Sequence, residues 1–99
     1  MERRLAAILA ADVVGYSRLM GANEVATLTA LRDIRTGLIE GAIRDAGGRI
    51  VKLMGDGILA EFPSVVSALE SALFIQEEMS KRNMDVPDDR QICFRMGVN

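Results

Sequence analysis

The sequence predicts an α+β domain in which two helices cover one face of an antiparallel sheet. The first observation is the order of the hydrophobic patterns along the 99 residues, β-α-β-β-α-β. The second is Gly55-Asp56-Gly57 between two short β-rich runs, a hairpin signal because Asp-Gly readily accepts the positive φ of tight turns. The third is the composition, 49% hydrophobic and 26% charged, which is typical of one small globular domain. This order of elements is that of the ferredoxin-like fold.

The first predicted strand covers residues 4–14, where Asp12 is the first charge to interrupt an apolar run. Residues 1–11 also have the outline of a secretion signal, with a basic start, an apolar stretch and small residues. That stretch is at the lower limit of length for such a signal and is far short of the roughly 20 residues that span a bilayer. We therefore expect a buried strand and no membrane segment in this chain.

Two helices are predicted from apolar residues at helical spacing. The first follows the N-cap residue Asn23 and ends at Gly47-Gly48, with a break expected near Thr36-Gly37. The second follows the N-cap residue Ser64 and runs to about Arg82.

The other three strands are predicted from short β-rich runs. Two of them form the hairpin and cover residues 49–54 and 58–62. The last covers residues 91–99, where apolar residues alternate with polar or small ones, and a surface loop at residues 83–90 precedes it.

Charge and residue inventory exclude several classes of function. Lys+Arg 12 against Asp+Glu 14 gives a net charge of −2, which argues against a nucleic-acid partner because phosphate binding needs excess cations. With no histidine and a single cysteine, Cys93, the chain has no Cys/His zinc site, Ser-His triad or Cys-His pair. Carboxylates and backbone oxygens would have to hold any divalent metal, which favours Mg²⁺ or Mn²⁺. The single cysteine also fits a reducing, cytoplasmic location.

Two carboxylates are expected to meet at one end of the sheet. In the predicted topology the first and third strands are neighbours, so Asp12 and Asp56 should lie close together. Such a pair repels unless one group is protonated or a cation lies between them, and two metal ions could serve phosphoryl or nucleotidyl transfer. The turn from Val13 to Ser17 offers successive backbone N–H groups suited to a phosphate chain. Taken singly, both aspartates could instead be ordinary turn or cap residues.

Three segments of the chain resemble the catalytic domain of the class III adenylate/guanylate cyclases, specifically the bacterial adenylate cyclases. They are LAADVVGYS at residues 9–17, GRIVKLMGDGILAEF at residues 48–62 and FRMGVN at residues 94–99. The resemblance covers essentially the whole chain, and the paired signatures in this order are far more specific than a lone Gly-Asp-Gly.

The resemblance implies a role for several residues. Asp12 and Asp56 match the two metal-binding, catalytic aspartates, and Val13 matches the residue whose carbonyl completes a site for two Mg²⁺ or Mn²⁺ ions. Expected substrate contacts are the phosphate turn, the position that is lysine in adenylate cyclases, and two residues next to Asp56: Val14, Gly15, Tyr16, Ser17, Lys52, Met54 and Gly55.

The resemblance also implies a partner and a reaction. Lys52 would read the adenine of ATP in the site whose metals the other subunit holds, so that a homodimer shares its active sites between subunits. The reaction would convert ATP to 3′,5′-cyclic AMP and pyrophosphate by two-metal catalysis, in cyclic nucleotide signalling.

In the family the domain continues beyond the segment matched here. We therefore expect residues 1–99 to be its N-terminal part, without the second adenine-contacting residue and the asparagine and arginine that act in the transition state. Losing several such donors should leave the isolated chain inactive. A non-catalytic homologue that binds nucleotide or dimerises is the alternative. A diguanylate cyclase or polymerase palm shares the topology, but its hairpin signature differs from the one at Asp56.

Overall fold

The computed structural model describes residues 6–99, which form one four-stranded antiparallel sheet with helices on one face. The strands are β1 (Ala7–Val13), β2 (Arg49–Met54), β3 (Gly57–Phe62) and β4 (Phe94–Val98). Their order in the sheet is β2-β3-β1-β4, and every neighbouring pair is antiparallel. The predicted α+β, ferredoxin-like arrangement is confirmed, with the first and third strands at its centre.

Four α-helices connect the strands. They are α1 (Tyr16–Ala22), α2 (Glu24–Ile34), α3 (Glu40–Asp45) and α4 (Val65–Asn83). A π-helical segment, Arg35–Ile39, joins α2 to α3, so the predicted long helix is continuous but irregular near Thr36-Gly37, where a break was expected. The expected N-caps are confirmed, because Asn23 accepts from the Ala26 N–H and Ser64 from the Ser67 N–H, each at 3.0 Å.

The core lies between the sheet and the helices. Alternate residues of β1 and β3 are buried on the helix side, as the period of a strand requires. Long helical side chains pack against them. The buried residues of these elements include Ala7, Leu9, Ala11, Val13, Ile34, Ile39, Ile43, Ile58, Ala60, Phe62, Ala68, Ile75 and Met79. The opposite side, here named the open face, carries Ala10, Asp12, Lys52, Leu59 and Arg95, all half-buried or exposed.

Some element bounds differ from those expected. Strand β1 covers Ala7–Val13. Residues 4 and 5 of the predicted strand lie outside the described residues, and so does the basic start of the possible secretion signal. Strand β4 begins at Phe94 and not at residue 91, and the Gln91 side chain instead donates to the carbonyls of Asn83 and Val86 in the preceding loop. Helix α1 was not predicted. Among residues 6–99, no helix has the length and apolar character needed to cross a membrane.

Candidate active site

Asp12 lies on the open face near the C-terminal end of β1, directly opposite Arg95 of β4. Its two carboxylate oxygens accept from Arg95 Nε at 3.1 Å and Nη2 at 3.0 Å. The two side chains are 40% and 75% exposed, respectively. The hydrogen bond to Asp12, with the attraction of its charge, raises the pKa of Arg95 above its ordinary value.

Asp56 lies in the hairpin that joins β2 to β3. The loop has only two residues, Gly55 and Asp56, since Met54 pairs with Gly57. Gly55 has φ +57°, a left-handed conformation that glycine adopts without a Cβ clash. The predicted hairpin is confirmed, but the positive φ falls on the residue before Asp56 and not on Gly57.

A hydrogen bond ties the hairpin carboxylate to the end of β1. Asp56 Oδ2 accepts from the backbone N–H of Val13 at 3.0 Å, and Val13 directly follows Asp12. The structure therefore brings the two predicted acidic residues to the same end of the two central strands, as the topology predicts. It does not leave them as a bare repelling pair, because the charge of Asp12 is compensated by a guanidinium, which the sequence argument did not consider.

The oxygen atoms at this end of the sheet are suitable ligands for a hard divalent cation. Two carboxylates and the Val13 carbonyl are oxygen ligands of the kind that Mg²⁺ and Mn²⁺ prefer. Among residues 6–99, no group of three or more acidic or cysteine side chains could hold a metal by itself. Two carboxylates nevertheless suffice for Mg²⁺ sites that substrate phosphates complete. The residues present therefore fit a divalent cation whose remaining ligands include phosphate oxygens.

The predicted phosphate-binding turn lies between β1 and α1. Gly15 has φ +67° and immediately precedes α1, whose first residues are Tyr16 and Ser17. Backbone N–H groups in the first turn of a helix have no partner within it. The N–H of Val14, however, donates to the carbonyl of Cys93 at 2.8 Å. The N–H groups of Val13 and Val14 thus both donate to acceptors within the chain. This corrects the expectation that every amide from Val13 to Ser17 faces a phosphate chain.

Lys52 lies on the edge strand β2 and is not in contact with the carboxylate pair. It is exposed on the open face opposite Leu59, which in turn pairs with Ala10. Two strand spacings of about 4.8 Å each therefore separate it from β1. Met54, also exposed, lines a shallow cavity of about 350 Å³ on the open face together with Asp12.

The structure adds two arginines that the sequence reasoning did not identify. Alternation along β4 is enough to place Arg95 on the exposed side, but its contact with Asp12 depends on the β1–β4 register. Arg35, in the π-helical segment, lines a small cavity of about 30 Å³ together with Asp56. Its Nε is buried without a hydrogen-bond acceptor and lies 3.6 Å from Glu40 Oε2. No local sequence signal marks Arg35.

This chain has relatives both among protein sequences and among solved structures. No protein-family profile matches the chain. "Putative adenylate cyclase 3" of Rhizobium meliloti (strain 1021) is 48% identical over 99 residues, which are 100% of this chain and 17% of that protein. The crystal structure of an adenylate/guanylate cyclase/hydrolase from Silicibacter pomeroyi is 51% identical with a TM-score of 0.89, over 99% of this chain and 57% of that one. A bacterial light-regulated adenylyl cyclase, 18% identical, shares the fold with a TM-score of 0.84 over 94% of this chain and 51% of that one.

The chain thus spans less than two thirds of the length of each of these relatives. The match to the relative from Rhizobium meliloti covers the whole of this chain and therefore includes the strand end at Asp12 and the hairpin at Asp56. Sequence identity near one half and a nearly superimposable fold agree with the motifs. By sequence and by fold, this chain is therefore similar over its whole length to part of the proteins of the class III adenylate/guanylate cyclase family.

Proposed function

We propose that the protein is an adenylate cyclase that converts ATP to 3′,5′-cyclic AMP and pyrophosphate. The observation that carries the proposal is the convergence of Asp12 and Asp56 at one end of the central strands, joined through the Val13 amide. The choice of ATP over GTP rests on Lys52 and on the name of the relative from Rhizobium meliloti.

Asp12, Asp56 and the carbonyl of Val13 would hold two Mg²⁺ or Mn²⁺ ions. When bound, such ions lower the pKa of an attacking hydroxyl and neutralise the charge of a phosphate leaving group. Asp56 is suited to the task because its carboxylate is already fixed by the Val13 N–H and need not be ordered when the ligand arrives.

The remaining residues of the chain would bind and orient the nucleotide. The start of α1 behind Gly15, with Tyr16 and Ser17, would receive the phosphate chain through backbone N–H groups. Lys52 would donate to N1 of adenine, an acceptor that guanine replaces with an N–H donor. Because Lys52 lies on the edge strand, away from the carboxylates, we propose that it serves the site of the second subunit in a homodimer.

A non-catalytic homologue is the second candidate, and the presence of Asp12, Asp56 and Lys52 argues against it. The chain alone should still be inactive. This chain spans 57% of the solved relative, and we propose that the transition-state asparagine and arginine belong to a part of the domain outside these 99 residues.

The test of the mechanism uses the protein extended through its whole cyclase domain. Cyclic AMP formation from ATP with Mn²⁺ should fall by about 10³-fold in Asp12→Asn and in Asp56→Asn, as expected when a preorganised charged group is removed from a transition state. Asp33→Asn, on the exposed side of α2, is the matched control and should retain activity. Wild-type rates in either site variant would disprove the two-metal assignment.

Nucleotide choice is tested separately at Lys52. Lys52→Glu should lower the ratio of kcat/KM for ATP over GTP by about tenfold or more, since the carboxylate accepts from guanine and repels N1 of adenine. Arg49→Glu reverses a charge on the same strand and should leave the ratio unchanged. If both variants keep the wild-type ratio, Lys52 does not read the base.

A further inference from the structure

We propose that Arg95 is a positioning residue that serves as the built-in counter-ion of Asp12 and that a divalent cation competes with it for this carboxylate. The inference rests on the proposed function, because it takes Asp12 to be a metal ligand. The proposed function assigns no role to Arg95. The inference adds one, as a group on the same chain that competes with the metal ion for Asp12.

The geometry makes the guanidinium and a cation compete for Asp12. Arg95 engages both carboxylate oxygens through Nε and Nη2, at 3.1 and 3.0 Å. This fork geometry is the preferred way in which arginine binds a carboxylate. A cation coordinated by either oxygen would share it with the guanidinium and would be repelled by the positive charge of that group. Binding at Asp12 is therefore tightest when Arg95 turns away.

The sheet keeps Asp12 and Arg95 next to each other whether or not their side chains are in contact. Asp12 and Arg95 are direct partners in the β1–β4 register, so their Cβ atoms are held about 5 Å apart whatever the rotamers do. The Arg95 side chain is 75% exposed, which leaves it open solvent into which it can turn. Releasing it costs little, because exposed ion pairs contribute only weakly to stability.

Asp56 differs from Asp12 in this respect. Its Oδ2 accepts from the Val13 N–H, and Oδ1 has no hydrogen-bond partner among the described residues. One oxygen of Asp56 is thus available to a cation without competition, whereas both oxygens of Asp12 already accept from Arg95. We infer that a first cation contact at Asp56 is followed by displacement of Arg95 from Asp12.

The test measures Mn²⁺ binding to the 99-residue chain by paramagnetic broadening of amide NMR signals next to Asp12 and Asp56, a method that detects weak binding. Arg95→Gln should bind Mn²⁺ about two- to fivefold more tightly than the wild type, the change that corresponds to an exposed ion pair. Arg95→Lys keeps the charge but loses the fork and should be intermediate. Thermal unfolding of each variant verifies that it is folded.

Arg49→Gln is the matched control, because it also removes one positive charge and breaks an ion pair, that with Glu61 at 2.7 Å, away from Asp12. If Arg95→Gln and Arg49→Gln bind Mn²⁺ equally while Asp12→Asn abolishes binding, the inference is wrong and the proposed metal site stands. If Asp12→Asn binds Mn²⁺ as the wild type does, Asp12 is not a ligand, and the proposed function fails at this point.

Discussion

Asp56 combines a structural contact with its proposed catalytic one. Its carboxylate accepts from the part-buried N–H of Val13 and so holds the β2–β3 hairpin against the end of β1. A substitution that removes both the charge and the acceptor would therefore lower activity and stability together, and the two causes could not be told apart. The two contributions can be separated by the choice of side chain.

We expect Asp56→Ala to lower the free energy of unfolding by about 1–2 kcal/mol, because the Val13 N–H loses its acceptor. Asp56→Asn keeps an oxygen at the same position and should lose less than half as much. Urea unfolding monitored by circular dichroism measures both, with Asp33→Ala on the exposed side of α2 as the control. Equal stability of the Ala variant and the wild type would contradict a structural contribution from this hydrogen bond.

At the scale of single residues, the sequence was sufficient to select Asp12 and Asp56 but not to describe their surroundings. Their selection needed only the topology and the motif around each. The contact between Asp12 and Arg95 depends on which residues of β1 and β4 stand opposite each other, and these strands are far apart in the chain. A two-residue shift in register would keep each side chain on its own face but move Arg95 away from Asp12, and the alternation along the strands does not distinguish these registers.

At the scale of elements, the predictions succeeded where a helix has a side-chain cap and an apolar face. Asn23 and Ser64 both cap the helices that they were expected to begin. Helix α1 has neither signal, since it follows Gly15, which has no side chain to cap it, and Leu19 is its one buried residue. A seven-residue helix of this kind is determined by tertiary contacts and not by local sequence.

The pair Gly47-Gly48 was expected only to end a helix, yet Gly48 also has a packing role at the start of β2. A Cβ at this position would lie 2.6 Å from two ring carbons of Phe62 and 2.8 Å from the carbonyl oxygen of Glu61. The carbonyl belongs to the backbone of β3, so it cannot rotate away as a flexible side chain could. Strands β2 and β3 can approach here only because residue 48 lacks a side chain.

Gly48→Ala should therefore destabilise the domain by about 2–3 kcal/mol, since the strand pair must separate to admit the methyl group. Gly37→Ala is the matched control. It adds the same methyl group in the π-helical segment, where no atom lies within 4 Å, and should be neutral or stabilising by about 0.5–1 kcal/mol. Urea unfolding of the two variants measures the difference. A Gly48→Ala variant as stable as Gly37→Ala would show that the strands tolerate the added group.

At the scale of the whole molecule, the order β-α-β-β-α-β was enough to predict the sheet because few topologies join these elements with short connections. The sheet order puts the ends of β1 and β3 together, and the candidate metal site follows directly from that order. The position of Lys52 on the edge strand β2, two strands away from β1, follows from it as well. The fold thus separates Asp12 from the lysine that the proposed function assigns to the same reaction.

This separation leads to a prediction about assembly in the protein extended through its whole cyclase domain. If each active site takes Asp12 from one subunit and Lys52 from the other, Asp12→Asn and Lys52→Ala should each be nearly inactive alone. Mixed in equal amounts with subunit exchange, they should recover about a quarter of wild-type cyclic AMP formation. Half of the dimers are then mixed, and each mixed dimer has one intact site.

A mixture of Asp12→Asn with Asp56→Asn is the control, because its two defects fall in the same half of the site and no intact site can form. Recovery in neither mixture, with dimers verified by sedimentation, would mean that Lys52 does not act across the subunit interface.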